Sequence, residues 1–141
     1  MPWSQAVVWH AVPTLFMTGL IWFVQVVHYP LLAAVGAAEF VAYERAHCRR
    51  TSFVVMPAML MELGLAVWLW WQAPAGQVVT TTLGLGLLGL VWASTFALQV
   101  PCHQRLEQSC DAATVRRLVR TNWLRTAGWS ARSGLAVWWL L

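Results

Sequence analysis

The stretch Phe40–Trp71, which reads FVAYERAHCRRTSFVVMPAMLMELGLAVWLWW, decides the fold. Its first third is polar and carries arginines, and the rest is an apolar run of the length that crosses a bilayer. One set of residues continues through both parts at helical spacing, so its side chains share one face. This set contains Glu44, His47, Thr51, Val55, Ala58 and Glu62. The sequence therefore predicts a membrane helix with a carboxylate and an imidazole one turn apart at its polar end.

The composition of the whole chain is that of an integral membrane protein. Of the 141 residues, 60% are hydrophobic and 10% are charged, and there are 11 tryptophans. This length fits one domain. The net charge of +4 comes from arginines that mark membrane topology, so it does not indicate a nucleic-acid partner. The partners we expect are the lipid bilayer and a hydrophobic small molecule, and a homo-oligomer stays open.

Four segments have the length and apolar character of spanning helices, which need about 20 mainly apolar residues. They cover residues 5–29, 38–71, 79–100 and 113–140. The first lacks a basic leader and a cleavage site, so we expect it to be a retained helix. Because the connections are short, sequential helices should be antiparallel neighbours. The predicted fold class is all-α, an integral membrane antiparallel four-helix bundle, with residues 1–141 forming a single transmembrane domain.

The arginines give the expected orientation of the bundle. They flank the first and third connections and are absent from residues 1–5, from the second connection and from the C-terminus. The flanking residues are Arg45, Arg49, Arg50, Arg105, Arg116, Arg117 and Arg120. By the positive-inside rule the two arginine-rich loops are cytoplasmic and both termini lie outside. We expect a multi-pass protein of a bacterial-type inner membrane.

Each predicted helix has polar or aromatic residues at helical spacing in its cytoplasmic half. These sets are Thr18, Trp22, Gln25 and His28; Glu44, His47 and Thr51; Trp92, Phe96, Gln99 and His103; and Leu118, Asn122, Arg125 and Trp129. Polar side chains are costly inside a membrane, and each needs a partner or a function. We therefore expect the four sets to converge on one pocket.

Three histidines and a glutamate in that pocket form a plausible ligand set for iron, copper or zinc. The predicted metal ligands are His28, Glu44, His47 and His103. Di-iron carboxylate bundles use two copies of Glu-x-x-His, and this chain has one, so a mononuclear site is expected. The alternative is that the three histidines lie at the headgroup level and bind water, lipid phosphate or loop carbonyls.

Glu62 cannot belong to this pocket. It lies 15 residues beyond His47, which is roughly 22 Å along a straight helix. Arg132 should reach the same mid-membrane depth, so a buried Glu62–Arg132 pair is the simplest interpretation. The alternative is a role in proton or substrate handling near His10.

The aromatic residues allow two interpretations. A flat apolar substrate could stack between Trp22, Trp92 and Trp129. Alternatively, these side chains belong to the core or face lipid, as most bundle aromatics do.

Four segments resemble a known family of membrane proteins. They are VQVVHYPLLAAVG (24–36), ERAHCRRTSFVVMP (44–57), QVPCHQRL (99–106) and LVRTNWLRTAGWSARSGLAVWW (118–139). In layout and in these short motifs the chain resembles the small four-helix proteins grouped with anthrone oxygenases. The resemblance implies a membrane-bound oxygenase of aromatic or polyketide-like compounds, often without a known cofactor. It also implies a site lined by His28, His103, Asn122, Trp123 and Arg125. The Glu44–His47 pair has no clear place in that pattern and argues against a cofactor-free mechanism here.

The function predicted from these observations is a membrane-embedded oxidoreductase, oxygenase-like, with a metal site at the cytoplasmic end. Asn122 and Arg125 would be catalytic, because preorganised donors stabilise developing negative charge. Trp22, Trp92, Gln99 and Trp129 would line the cofactor and substrate space. The alternatives are a haem- or quinone-binding membrane module and a structural partner subunit.

Overall fold

The computed structural model describes residues 1–141 and is helical throughout, without strands. Four long helices follow one another: α1 (Trp3–Ala34), α2 (Phe40–Trp71), α3 (Ala75–Leu106) and α4 (Ala112–Leu140). The prediction of an all-helical chain with four long helices is confirmed. Three of them, α1, α2 and α3, are long and apolar enough to cross a membrane.

The fourth helix differs from the expectation that all four segments are apolar enough to span. α4 is 29 residues long, but it carries five arginines. They are Arg116, Arg117, Arg120, Arg125 and Arg132. Two of these side chains, Arg125 and Arg132, are buried inside the bundle rather than exposed on its surface. The charge that lowers the hydropathy of α4 therefore lies partly inside the protein.

The helices form a bundle in which α1 packs against α2 and α4, and α3 packs against the same two helices. Its core consists of three apolar clusters. These include Ala6, Val7 and Leu69 near the termini; Met17, Ile21, Met59 and Val91 in the middle; and Tyr29, Leu32, Phe40, Leu106 and Leu118 near the arginine-rich loops. The polar centres described below lie between these apolar layers.

α1 and α3 each contain one wide helical turn, which allows the helix to continue past a proline. In the π-helical turns Val24–His28 and Thr95–Gln99, the N–H of the next residue bonds to the carbonyl five residues back. Pro30 and Pro101 follow these turns, where a proline would otherwise clash with the preceding turn. The sequence placed the helix ends near residues 29 and 100. Both helices instead continue, because the wide turn accommodates the proline, and α3 carries His103 in a regular helical turn.

A close contact between α3 and α4 brings the middle of the bundle together. A Cβ added at Gly128 would lie 2.6 Å from Val91 Cγ2, which is closer than real side chains approach. Small residues allow membrane helices to pack this closely. The contact places the segment of α4 that contains Arg125 and Trp129 directly against α3.

Candidate metal centre and cavity

The first buried polar centre, in the middle of the bundle, is built around Glu62. Its Oε1 accepts hydrogen bonds from Arg132 Nε at 2.8 Å and from Thr14 Oγ1 at 2.9 Å, and its Oε2 accepts one from Trp129 Nε1 at 2.9 Å. Arg132 Nη2 lies 2.9 Å from His10 Nε2. We call these five residues the Glu62 network. The predicted Glu62–Arg132 pair is confirmed.

The Glu62 network satisfies its two charges internally. Both oxygens of Glu62 have donors, and the remaining donor of Arg132, Nη1, bonds to the carbonyl of Gly84 on α3. All four helices contribute a group, since His10 and Thr14 are on α1 and Trp129 and Arg132 on α4. A buried ion pair with completed hydrogen bonds fixes how helices pack. This centre therefore has a structural explanation that requires no ligand.

The second buried polar centre lies near the arginine-rich loops and is built around Glu44. Glu44 Oε1 lies 2.5 Å from His103 Nδ1, and His103 Nε2 lies 2.9 Å from Tyr29 Oη. With Glu44 ionised, His103 donates a hydrogen bond to Glu44 through Nδ1 and accepts one from the Tyr29 hydroxyl through Nε2. These hydrogen bonds connect three helices, α1, α2 and α3. Glu44 is fully buried, and its Oε2 has no hydrogen-bond partner.

The other two histidines pair with each other beside Glu44. His28 Nε2 and His47 Nδ1 are 2.9 Å apart, with ring centroids separated by 4.4 Å. Thr51 Oγ1 lies 3.1 Å from the same His47 nitrogen. The His47 and His103 rings are 5.6 Å apart. The four residues predicted from sequence as metal ligands thus come together at one end of the bundle, in two hydrogen-bonded pairs.

A group of side chains that could hold a metal ion lies at this end, but its members differ from the predicted set. Ligand atoms of Glu44, Cys48 and His103 all lie within 4.8 Å of one another. Cys48 is one turn beyond Glu44 on α2, and its thiol donates to Glu44 Oε1 at 3.5 Å. His47 points towards His28 on α1, so these two histidines stand next to the group rather than in it. Carboxylate, thiolate and imidazole together suit zinc, iron or copper.

A cavity of about 270 Å³ opens beside the group, between α2 and α3. Its wall includes His47, Cys48 and His103 from the centre, and Trp92 and Gln99 from the predicted substrate space. The accessible surface of the cavity is mainly apolar and includes Val55, Met56, Met59 and Phe96, while Thr51, Ser52, Thr95, Gln104 and Glu107 also line it. Catalytic metal sites commonly combine three protein ligands with one open position. Here that position would face an apolar space large enough for a small ligand.

Of the two predicted catalytic residues, Arg125 lines this cavity and Asn122 lies behind it. Arg125 Nη1 donates to Asn122 Oδ1 at 3.3 Å. Asn122 in turn donates to Gln25 Oε1 at 2.9 Å. Asn122 is therefore a supporting residue that holds Arg125, while Arg125 itself reaches the cavity wall.

Two of the predicted aromatic residues lie outside the cavity. Trp22 is 44% exposed and donates to Ser130 at 3.0 Å on the outer side of α1 and α4. Trp129 is fully buried and is held by Glu62. A substrate stacked between Trp22, Trp92 and Trp129 does not fit this arrangement, because Trp92 is the only one of the three on the cavity wall. Trp123, named through the family resemblance, packs edge-on against Trp22.

Sequence reasoning missed Cys48 and Tyr29. The spacing of four residues between Glu44 and Cys48 was a usable signal, because it puts both side chains on one helix face. No comparable signal pointed to Tyr29, whose neighbour His28 carries the more obvious chemistry. Tyr29 directly follows the π-helical turn Val24–His28, and its hydroxyl reaches His103.

Comparison with protein-family models, with curated proteins and with solved structures found no match to this chain.

Proposed function

We propose that this protein is a membrane-embedded, metal-dependent oxidoreductase of an oxygenase-like kind, acting on a small hydrophobic substrate. The bundle would be antiparallel and integrated in the bilayer, with α4 spanning alongside the three apolar helices. The resemblance to the anthrone-oxygenase-like proteins supports the same reaction class. Glu44, Cys48 and His103 would hold iron, copper or zinc, with His47 as the nearest further ligand.

One observation carries the proposal: a fully buried carboxylate oxygen, Glu44 Oε2, has no partner and stands in a group that also offers a thiol and an imidazole. Leaving a charged oxygen unsatisfied in a low-dielectric interior is costly. A metal ion would satisfy both oxygens of Glu44 at once. The adjoining cavity then gives the ion access to a substrate.

Integration of α4 is supported by the location of its inner arginines. Arg132 is paired with Glu62, and Arg125 is 6% exposed, so neither presents a charge to lipid. The apolar surface of the bundle is extensive and includes exposed Phe53, Trp71 and Leu90. Charged residues inside membranes face the bundle interior or pair with one another. α4 meets this condition although its sequence is less apolar than the other helices.

The residues around the metal position have distinct expected roles. With a metal on Nδ1, His103 would donate its Nε2–H to Tyr29 Oη, and this bond would fix the orientation of the ring, as outer-shell partners of metal-binding histidines do. Arg125, held by Asn122, would stabilise negative charge on the substrate as it reacts. Met56 and Phe96 are exposed at the outer rim of the cavity, so the substrate would enter sideways from lipid, between α2 and α3.

Elemental analysis combined with a visible spectrum of the purified protein tests this proposal. We expect close to one transition-metal ion per chain and no Soret band. A Soret band would instead indicate a haem module, and a cavity of about 270 Å³ offers little room for a macrocycle. Absence of both metal and chromophore would contradict the proposal and favour a structural partner subunit or a cofactor-free enzyme.

The proposed topology has its own test. With both termini outside and both arginine-rich loops cytoplasmic, a periplasmic reporter fused after Leu141 should be active, and one inserted in the loop near Ser109 should not. The reverse pattern would contradict the orientation, and two fusions active on the same side would contradict the spanning of α4.

A further inference from the structure

Arg125 is a buried cation without a carboxylate. The ion pairs of the structure join Glu44 to His103 and Glu62 to Arg132, and neither includes Arg125. Its side chain is 6% exposed, and its Nε has no hydrogen-bond partner. Its guanidinium donates to the neutral amide of Asn122 at 3.3 Å, and its other polar neighbour is the neutral hydroxyl of Tyr29.

The surroundings of Arg125 compensate its charge incompletely. The guanidinium carbon lies 5.2 Å from the centre of the Trp129 ring, a cation–π distance. An amide oxygen and an aromatic face both carry partial negative charge, but a buried guanidinium without a full counter-charge remains costly. Arg132 lies about two turns further along α4. Its buried charge is compensated in the usual way, by the carboxylate of Glu62. An anion bound next to Arg125 would supply what is missing.

A second unpartnered donor lies on the same cavity wall. Trp92 Nε1 is buried and has no acceptor, and Trp92 and Arg125 both line the cavity between α2 and α3. Gln99 lines the same cavity and already bonds to Ser94 and Thr121, so it is not an unpartnered donor. Two side chains with unpartnered donors thus line one cavity, whose accessible surface is mainly apolar and whose rim also includes Glu107.

We propose that this cavity binds a small organic monocarboxylate, with its carboxylate on Arg125 and the Trp92 N–H and its apolar body against Val55 and Met59. A guanidinium is a planar fork that matches the two oxygens of a carboxylate. One negative charge balances one buried guanidinium, and about 270 Å³ fits an apolar body of one ring or a short chain. This inference rests on the proposed function only in taking the cavity as the substrate site.

Isothermal titration of the purified protein with phenylacetate and with phenylacetamide tests the proposal, because the two probes share size and shape and differ in charge. We expect the wild type to bind the acid anion at least about tenfold more tightly than the amide, as expected for a charged hydrogen bond in place of a neutral one. Arg125→Gln should remove this preference, and Arg125→Lys should keep part of it. Trp92→Phe, which retains the ring and loses the N–H, should weaken phenylacetate binding several-fold.

Arg116→Gln is the matched control, since Arg116 is exposed on the same helix and lies outside this cavity. It should leave both affinities unchanged. Equal affinity of the wild type for the two probes would overturn the proposal, as would an undiminished preference in Arg125→Gln. Saturable chloride binding that depends on Arg125, without phenylacetate binding, would also overturn it and assign an inorganic anion. Metal content measured on the same preparations keeps this result separate from the metal proposal.

Discussion

Glu44 and Glu62 lie on the same face of α2 and are both fully buried, yet their surroundings differ in one decisive respect. Glu62 has donors for both oxygens, among them a guanidinium and an indole. Glu44 has a histidine and a thiol on one oxygen and nothing on the other, next to a cavity. A buried carboxylate that the protein satisfies by itself is explained by packing, whereas one left incomplete beside an open space points to a ligand.

The largest effect should come from breaking the Glu62–Arg132 pair. Glu62→Ala leaves Arg132 buried without its carboxylate, and breaking a buried pair typically costs about 3–5 kcal/mol of unfolding free energy. The double variant Glu62→Leu with Arg132→Leu removes both charges and should recover much of this loss. Unfolding of the purified variants in a denaturing detergent series measures both values. A double variant as unstable as the sum of the single variants would mean that the two residues are not partners.

The next effect concerns metal affinity rather than stability. His103→Ala and Cys48→Ala each remove one of three ligands, so metal affinity should fall by more than the roughly 10–100-fold typical of outer-shell changes. His10→Ala is the matched control, because this buried histidine belongs to the Glu62 network. Competition with a chelator of known affinity gives the values. Equal metal affinity of His103→Ala and His10→Ala would remove the distinction between the two centres.

A pH titration should also separate the two centres. Protons compete with metal for an imidazole nitrogen, a thiolate and a carboxylate, so metal occupancy should fall as the pH is lowered and return as it is raised. The helical content of the bundle should persist while the metal is lost, because no metal ligand is part of the Glu62 network. Metal content after dialysis and far-ultraviolet circular dichroism on the same samples follow both changes. Simultaneous loss of metal and helix would show that the metal is structural.

The smallest expected effect on stability comes from a residue outside both centres. Asp111 caps α4, and hydrogen bonds from the Thr114 hydroxyl and the Ala113 N–H hold the pKa of its carboxyl below its usual value. Because the pKa of Asp111 is lower in the folded than in the unfolded protein, the ionised carboxyl stabilises the fold at a pH above its unfolded pKa of about 3.9. This contribution to stability is lost as the pH falls through the folded pKa. Asp111→Ala should lower thermal stability slightly at neutral pH, less than Glu62→Ala, and should leave metal affinity unchanged. A difference between Asp111→Ala and wild type that persists at a pH below both values would contradict the linkage.

Much of the fold followed from helical periodicity and from the lengths of the apolar segments. Four long helices and the Glu62–Arg132 pair could be predicted, because depth along a straight helix follows from residue counts. The gathering of His28, Glu44, His47 and His103 at one end followed in the same way. The length of a helix, and the depth of each residue along it, can be predicted from the sequence of that segment alone.

Rotation about each helix axis could not be predicted, and it decides the details of the site. Trp22 points outward and Trp129 towards Glu62, because tertiary contacts set which side of a helix meets a neighbour. The π-helical turns change that rotation part of the way along α1 and α3. The exchange of His47 for Cys48 in the ligand group is a rotation of one residue on α2, which periodicity does not resolve.

The central claim is that Glu44 binds a metal and Glu62 does not, and metal content per folded chain in Glu44→Gln and Glu62→Gln tests it most directly. Both changes replace a fully buried carboxylate on α2 by an amide of the same shape. We predict near-stoichiometric metal in wild type, retention in the folded fraction of Glu62→Gln, and loss in Glu44→Gln while the bundle stays folded. Full metal occupancy in Glu44→Gln, or equal loss in both variants, would contradict the account.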